Sequence, residues 1–179
     1  MLSWVGFTLG GFVGAYLLEP VWHRWIAHGR RADPSRTGHL EHHRRANERV
    51  DVWGELREHG VRVGGTLLLV ALGCAWALGV GDGLALTLGL AGGFVAVNFS
   101  HARMHERGPR NRVEAWMWRF HWYHHAVDAR VNFGLTHPLL DFALGTAVVP
   151  AEVELHPKLA PQWLKDAGGS ASGISTRSH

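Results

Sequence analysis

A chain of 179 residues can carry one domain with a real core and leaves no room for two of comfortable size. Its net charge of +3 and pI of about 9.6 rest almost wholly on arginine, because Lys158 and Lys165 are the only lysines; the arginines flank apolar runs, which favours anionic lipid head groups or an acidic protein over nucleic acid as partner. A single cysteine, Cys74, excludes a disulfide framework, a cysteine-based zinc site and a four-cysteine iron–sulfur cluster.

The first predicted element is a membrane span. Leu2 to Leu18 holds no charged residue and closes at Glu19-Pro20, just long enough to cross hydrocarbon. With no basic segment before it and no small-residue cleavage site after it, the run reads as a retained span rather than a signal peptide. Arg24 to Arg62 then holds nine arginines. A second apolar run, Val63 to Val80, and a third, Leu84 to Phe99, flank Gly81-Asp82-Gly83, which predicts two helices joined by a tight turn there. Arg103 to Arg130 holds six more arginines while that turn carries only Asp82, so both basic segments are expected on the cytoplasmic side, with the N-terminus outside.

Trp22, Trp25, Trp53, Trp116, Trp118 and Trp122 lie in the basic segments or beside span ends, where tryptophan settles at a membrane surface. Val113 to Tyr123 is expected to be an interfacial helix presenting Trp116, Met117 and Phe120. Pro138 to Val149 is expected to re-enter the membrane edge without crossing, and the Gly/Ser-rich stretch from Ala167 to be disordered. The expected fold is all-α: an integral membrane helical bundle of about three spans with a cytoplasmic His-rich helical cap, residues 1–166 forming one domain and 167–179 a disordered tail.

Histidine is the compositional outlier, at 14 residues. His59, His156 and His179 stand apart and read as ordinary surface or hydrogen-bonded residues. Ten fall into four clusters: His23 and His28; His39, His42 and His43; His101 and His105; His121, His124 and His125. On a helix, positions i, i+3 and i+4 share a face, so the HxxHH and HxxxH clusters each aim two or three imidazoles at a common point. His23 and His28 are five apart, roughly 140° around an ideal helix. They can meet only near a helix end, or else serve different metals. Neutral imidazoles packed so densely each need a partner, and protonated ones repel; transition metal resolves both difficulties. Ten ligands exceed the preference of any single ion and fit two. Because only neutral imidazole ligates, at ordinary pKa values metal would leave as the pH falls through about 6. All ten can converge at the cytoplasmic mouth, beneath an apolar slot between the spans.

These residues resemble the fatty acid hydroxylase and sterol desaturase superfamily of integral membrane di-iron enzymes. The likeness runs from about Trp22 to Thr146. His23 to His28 is similar to the first histidine box, His39 to His43 to the second, His101 to His105 to the third and His121 to His125 to the fourth, followed by Asn132-Phe133-Gly134-Leu135-Thr136-His137-Pro138-Leu139-Leu140-Asp141, which is similar to the family's NFGxTxPLxD stretch. The resemblance implies that the ten histidines bind two iron ions, which zinc is able to replace in purified protein, with O2 as co-substrate. Asp128, Asn132 and His137 lie near the last box as candidates for orienting an imidazole, with turn or cap roles as the alternative for Asn132 and Asp141.

The implied activity is hydroxylation or desaturation of a lipid within the membrane, a fatty acyl, sphingolipid or sterol-like chain. With no Rossmann glycine fingerprint, haem box or cysteine cluster in the sequence, electrons are expected from a separate donor of cytochrome b5 or ferredoxin type. Carotenoid ring hydroxylation is the enzymatic alternative, although that group's third box is usually one residue longer than His101 to His105. A His-rich metal transporter is the alternative of another class; it would place ligands near mid-bilayer, and none of the three apolar runs contains histidine. Zinc hydrolysis lacks its HExxH, the nearest acids being Glu19 and a solvated Glu41.

Overall fold

The uncharged N-terminal run winds into helix α1, Leu2–Trp22, and does not stop at Glu19-Pro20. Pro20 lies inside the helix, which then widens into a π turn over His23–Ala27. Proline has no N–H to give the carbonyl one turn earlier, so the ladder is already a bond short where the widening begins. The computed structural model describes residues 2–29 and 34–177, and the side chains of all of these except 2, 34–37 and 55–63. Helices α2 (Pro34–Arg44), α3 (Val52–Leu78), α4 (Val80–Glu106) and α5 (Arg112–Ala126) follow, then short α6 (Leu139–Leu144), strand β1 (Val153–Leu155), α7 (Gln162–Asp166) and strands β2 (Ser170–Ala171) and β3 (Ile174–Thr176).

Two compact units result: Met1–Leu18 with Asp51–Phe99, and Glu19–Val50 with Ser100–His179. In the first, Asp51 caps α3 by accepting from Gly54 N at 2.9 Å. The break between α3 and α4 is Gly79, at φ 88°, rather than Gly81–Gly83. Gly79 is the residue able to take the positive φ, while Asp82 falls in the first turn of α4, where an acid suits the helix N-terminus. Helices α1 and α4 touch backbone to backbone: a Cβ at Gly89 would collide with the Thr8 carbonyl, and one at Gly11 with that of Leu86.

Two helical stretches are long and apolar enough to cross a membrane, Ser3–Ala27 and Val80–Glu106. The apolar part of α3, Gly64–Leu78, is shorter. Among the described residues two helices thus meet the length and composition of a span, and α3 adds a shorter apolar stretch. Val5, Leu9, Val13, Leu17, Leu69, Leu72, Trp76 and Leu88 are exposed on these helices, the pattern of surfaces that face lipid rather than a protein core.

The second unit departs from the all-α expectation. Helix α5, capped by Asn111 through Glu114 N, is not interfacial: Met117, Trp118, Phe120 and Trp122 are buried, and Trp118 and Trp122 join Met104, Leu155, Leu164 and Ile174 in one apolar core. Trp22, Trp25 and Trp53, by contrast, are exposed, as are Leu139 and Phe142 on α6. The stretch from Ala167 is ordered through Arg177, since β3 pairs in parallel with β1, Val153 opposite Ile174, and antiparallel with β2. A Gly/Ser-rich composition hides this because a single residue, the fully buried Ile174, carries most of the apolar anchoring. Ile174→Ala should cost about 2–5 kcal/mol, read as a lower urea midpoint for the tryptophan fluorescence of the detergent-solubilised chain; an unmoved midpoint would return the segment to a free tail.

Candidate metal centre

All ten clustered histidines lie in the second unit. The π turn reconciles the awkward five-residue spacing of the first pair: His28 N donates to His23 O at 3.0 Å, an i→i+5 bond, and a turn closed that way brings positions five apart towards one face. His23 and His28 therefore fall in one imidazole group, not two. With His39, His43 and His124 they form a group whose donor nitrogens all lie within 4.8 Å of one another. His23 Nε2 and His28 Nε2 are each 2.9 Å from His39 Nε2, His43 Nε2 is 3.0 Å from it, and His28 Nε2 is 3.0 Å from His124 Nε2.

His42, His101, His105 and His125 form a second group. His101 Nε2 is 3.1 Å from His42 Nε2 and 3.2 Å from His105 Nε2, and His121 adjoins through His105, Nε2 to Nε2 at 2.9 Å. The rings of His43 and His125 stack at 4.2 Å between centroids, so the two groups share a wall.

The opposite ring nitrogens decide what these contacts mean. His23 Nδ1 donates to Phe133 O at 2.5 Å, His124 Nδ1 to Val131 O at 2.7 Å and His105 Nδ1 to Ala46 O at 2.9 Å. A carbonyl oxygen only accepts, so Nδ1 carries the hydrogen in each ring, and the neutral ring turns the Nε2 lone pair inward. Lone pairs converging at about 3 Å repel unless a cation lies among them. In the second group, both nitrogens of buried His125 have no hydrogen-bond partner among the described residues. The donor set fits transition-metal ions: imidazole nitrogens, neutral, oriented by main-chain partners.

Burial keeps them neutral. Desolvation first, and neighbouring imidazoles second, hold His39, His42, His43, His121 and His125 below the ordinary imidazole range. For His124 burial outweighs the Val131 carbonyl and Asp128, and the pKa falls to about 4. Phe133 packs on His23, His28 and His124, and Trp122 on His105 and His125, an apolar wall on one side of each group.

The three candidates for orienting an imidazole do otherwise. Asp128 binds Arg130, at 2.9 and 3.0 Å, and His137 Nδ1 accepts from Leu139 N at the start of α6. Asn132, buried at φ 58°, acts on the loop: its amide donates to Phe120 O and Val148 O and accepts from Val148 N, fixing the residue between the two carbonyls that hold His124 and His23. Asp141 accepts from Phe133 N, Gly134 N and Thr146 Oγ1. Of the outlying histidines, His156 Nδ1 accepts from Lys158 N, while the His59 side chain and His179 fall outside the described residues. Glu41 is solvated and paired with Arg45 at 2.8 Å. Sequence reasoning did not single out the Val131, Phe133 and Ala46 carbonyls, which no side-chain pattern announces, or Glu19, whose signal is that of a lone acid ending a charge-free run.

No curated protein and no solved structure matches the chain significantly. A family profile does. It is described as fatty acid hydroxylase and matches residues 8–146, which takes in all four histidine clusters, the loop whose carbonyls hold His23 and His124, and most of the chain; the protein belongs to the fatty acid hydroxylase family.

Proposed function

We propose that this chain is a membrane-bound non-haem di-iron oxygenase that hydroxylates, or desaturates, a fatty acyl, sphingolipid or sterol-like chain. The observation that carries this reading is the pair of imidazole groups with inward lone pairs, fixed from behind by backbone carbonyls, in a member of a lipid-oxidising family. His23, His28, His39, His43 and His124 would hold one iron, and His42, His101, His105, His121 and His125 the other. Bound iron supplies the redox chemistry by which O2 attacks a C–H bond. The protein's share is position and shielding: carbonyls set the ring tautomers, while Phe133 and Trp122 give each group an apolar wall.

Hydroxylation puts one oxygen atom into the C–H bond, releases the other as water, and consumes two electrons and two protons. A separate acidic donor of cytochrome b5 or ferredoxin type would deliver the electrons to an arginine-rich cytoplasmic face. The apolar helices Ser3–Ala27 and Val80–Glu106 support a membrane location for both enzyme and substrate. Protein purified without oxygen should carry about two metal ions per chain. Expression in a host should yield a lipid one oxygen atom heavier or two hydrogen atoms lighter. A reproducible single ion would break the dinuclear reading, and an unchanged lipid and pigment profile the lipid-oxidising one.

A further inference from the structure

Glu19 ends the charge-free run of α1 and is 7% exposed, with no lysine or arginine paired to it in the described structure. A carboxylate is rarely buried without a reason, because removing it from water is costly unless hydrogen bonds replace the solvent. Here the replacements come from one loop. Glu19 Oε2 accepts from Leu135 N at 3.0 Å, Thr136 N at 3.3 Å and Thr136 Oγ1 at 3.4 Å. Two successive backbone N–H groups converging on one oxygen make an anion grip. The other oxygen, Oε1, has no hydrogen-bond partner among the described residues and lies 3.9 Å from His23 Nδ1.

Glu19 and His23 are four residues apart on the same helix and meet the same loop with opposite polarity. Glu19 takes the N–H groups of Leu135 and Thr136, while His23 gives its Nδ1–H to the carbonyl of Phe133. The loop is anchored from its other side as well. A Cβ at Gly134 would collide with the His137 carbonyl, and Asp141 grips Phe133 N and Gly134 N from the other side. The Phe133 carbonyl that sets the His23 tautomer is therefore held between two buried carboxylates.

We infer that Glu19 is a positioning residue for the first metal site: it fixes the 133–136 loop against His23, so that the Phe133 carbonyl aims the His23 Nε2 lone pair at the ion. This rests on the metal-centre reading above, and the test separates the two. The detergent-purified full-length chain is stripped of metal and titrated with Zn(II) against a chromophoric chelator. Two tight ions on the unaltered chain test the metal centre; the variants test Glu19. Glu19→Ala should weaken one of the two ions about 10-fold or more and leave the other unchanged. Glu19→Gln keeps a carbonyl oxygen for the two amides and should bind both ions as the native chain does.

Equal binding by Glu19→Ala and native protein would overturn the proposal, and so would parallel loss of both ions, which would mark Glu19 as a general support of the fold. Weakening in Glu19→Gln equal to that in Glu19→Ala would overturn the hydrogen-bond account in favour of charge alone. If Glu19→Ala does not fold, Glu19→Asp serves, since a side chain one methylene shorter cannot reach both amides: selective weakening of one ion supports the inference, and native affinity overturns it.

Discussion

Replacing His124 by alanine should empty the first imidazole group of its ion and reduce lipid oxidation to the background of the host, while the chain still inserts in the membrane. His124 is buried at the end of α5, its Nδ1 held by Val131 O and its Nε2 3.0 Å from that of His28. Alanine removes a ligand without disturbing the carbonyl loop, which Asn132 and Asp141 fix independently. Loss of one metal ligand commonly costs orders of magnitude in affinity, well beyond the 10- to 100-fold of an outer partner. His42→Ala should do the same at the second group. The measurements are metal content per chain and product formation in membranes; undiminished turnover in His124→Ala would remove the site from the mechanism.

Acid should release the metal, and at lower pH than free imidazole would suggest. The sign follows from burial. The unfolded histidine titrates near 6.5, whereas His124 in the fold titrates at about 4, and His39, His42, His121 and His125 are likewise depressed. A depressed folded-state pKa contributes stability that is present in full above the unfolded value and is lost as the pH falls through the folded one. Metal content and helicity should therefore hold at pH 6.5, decline together below it and be gone near 4, rather than fall sharply through 6. Metal titrations and circular dichroism across that window provide the check. A single sharp loss centred at 6 would mean that the imidazoles are solvated.

The clusters could be read in the sequence because helix periodicity converts HxxHH and HxxxH into shared faces, and density of imidazole leaves few alternatives to metal. What pairs with what was not legible: His28 meets His124 across 96 positions and His42 meets His101 across 59, separations no local pattern encodes. The π turn was hidden as well, since an ideal helix sets His23 and His28 apart and only a widened turn brings them together. Val113 to Tyr123 misled because interfacial and core helices share an aromatic composition; the difference lies in what covers them, here residues of β1 and, from the stretch that composition assigned to disorder, Ile174 of β3.

The loop from Val131 to Phe133 grips its histidines through peptide oxygens, and those oxygens are the same whatever side chain sits at positions 131 and 133. Such a segment asks little of the side chain at Val131, keeps Asn132 and Phe133 for their own contacts, and is unforgiving of length. Swapping one aliphatic residue for another leaves the carbonyls in register, whereas one residue inserted or deleted between His125 and Asp141 would slide both acceptors off their rings together. The ruler that aligns this centre is the count of peptide units, more than the alphabet written on them.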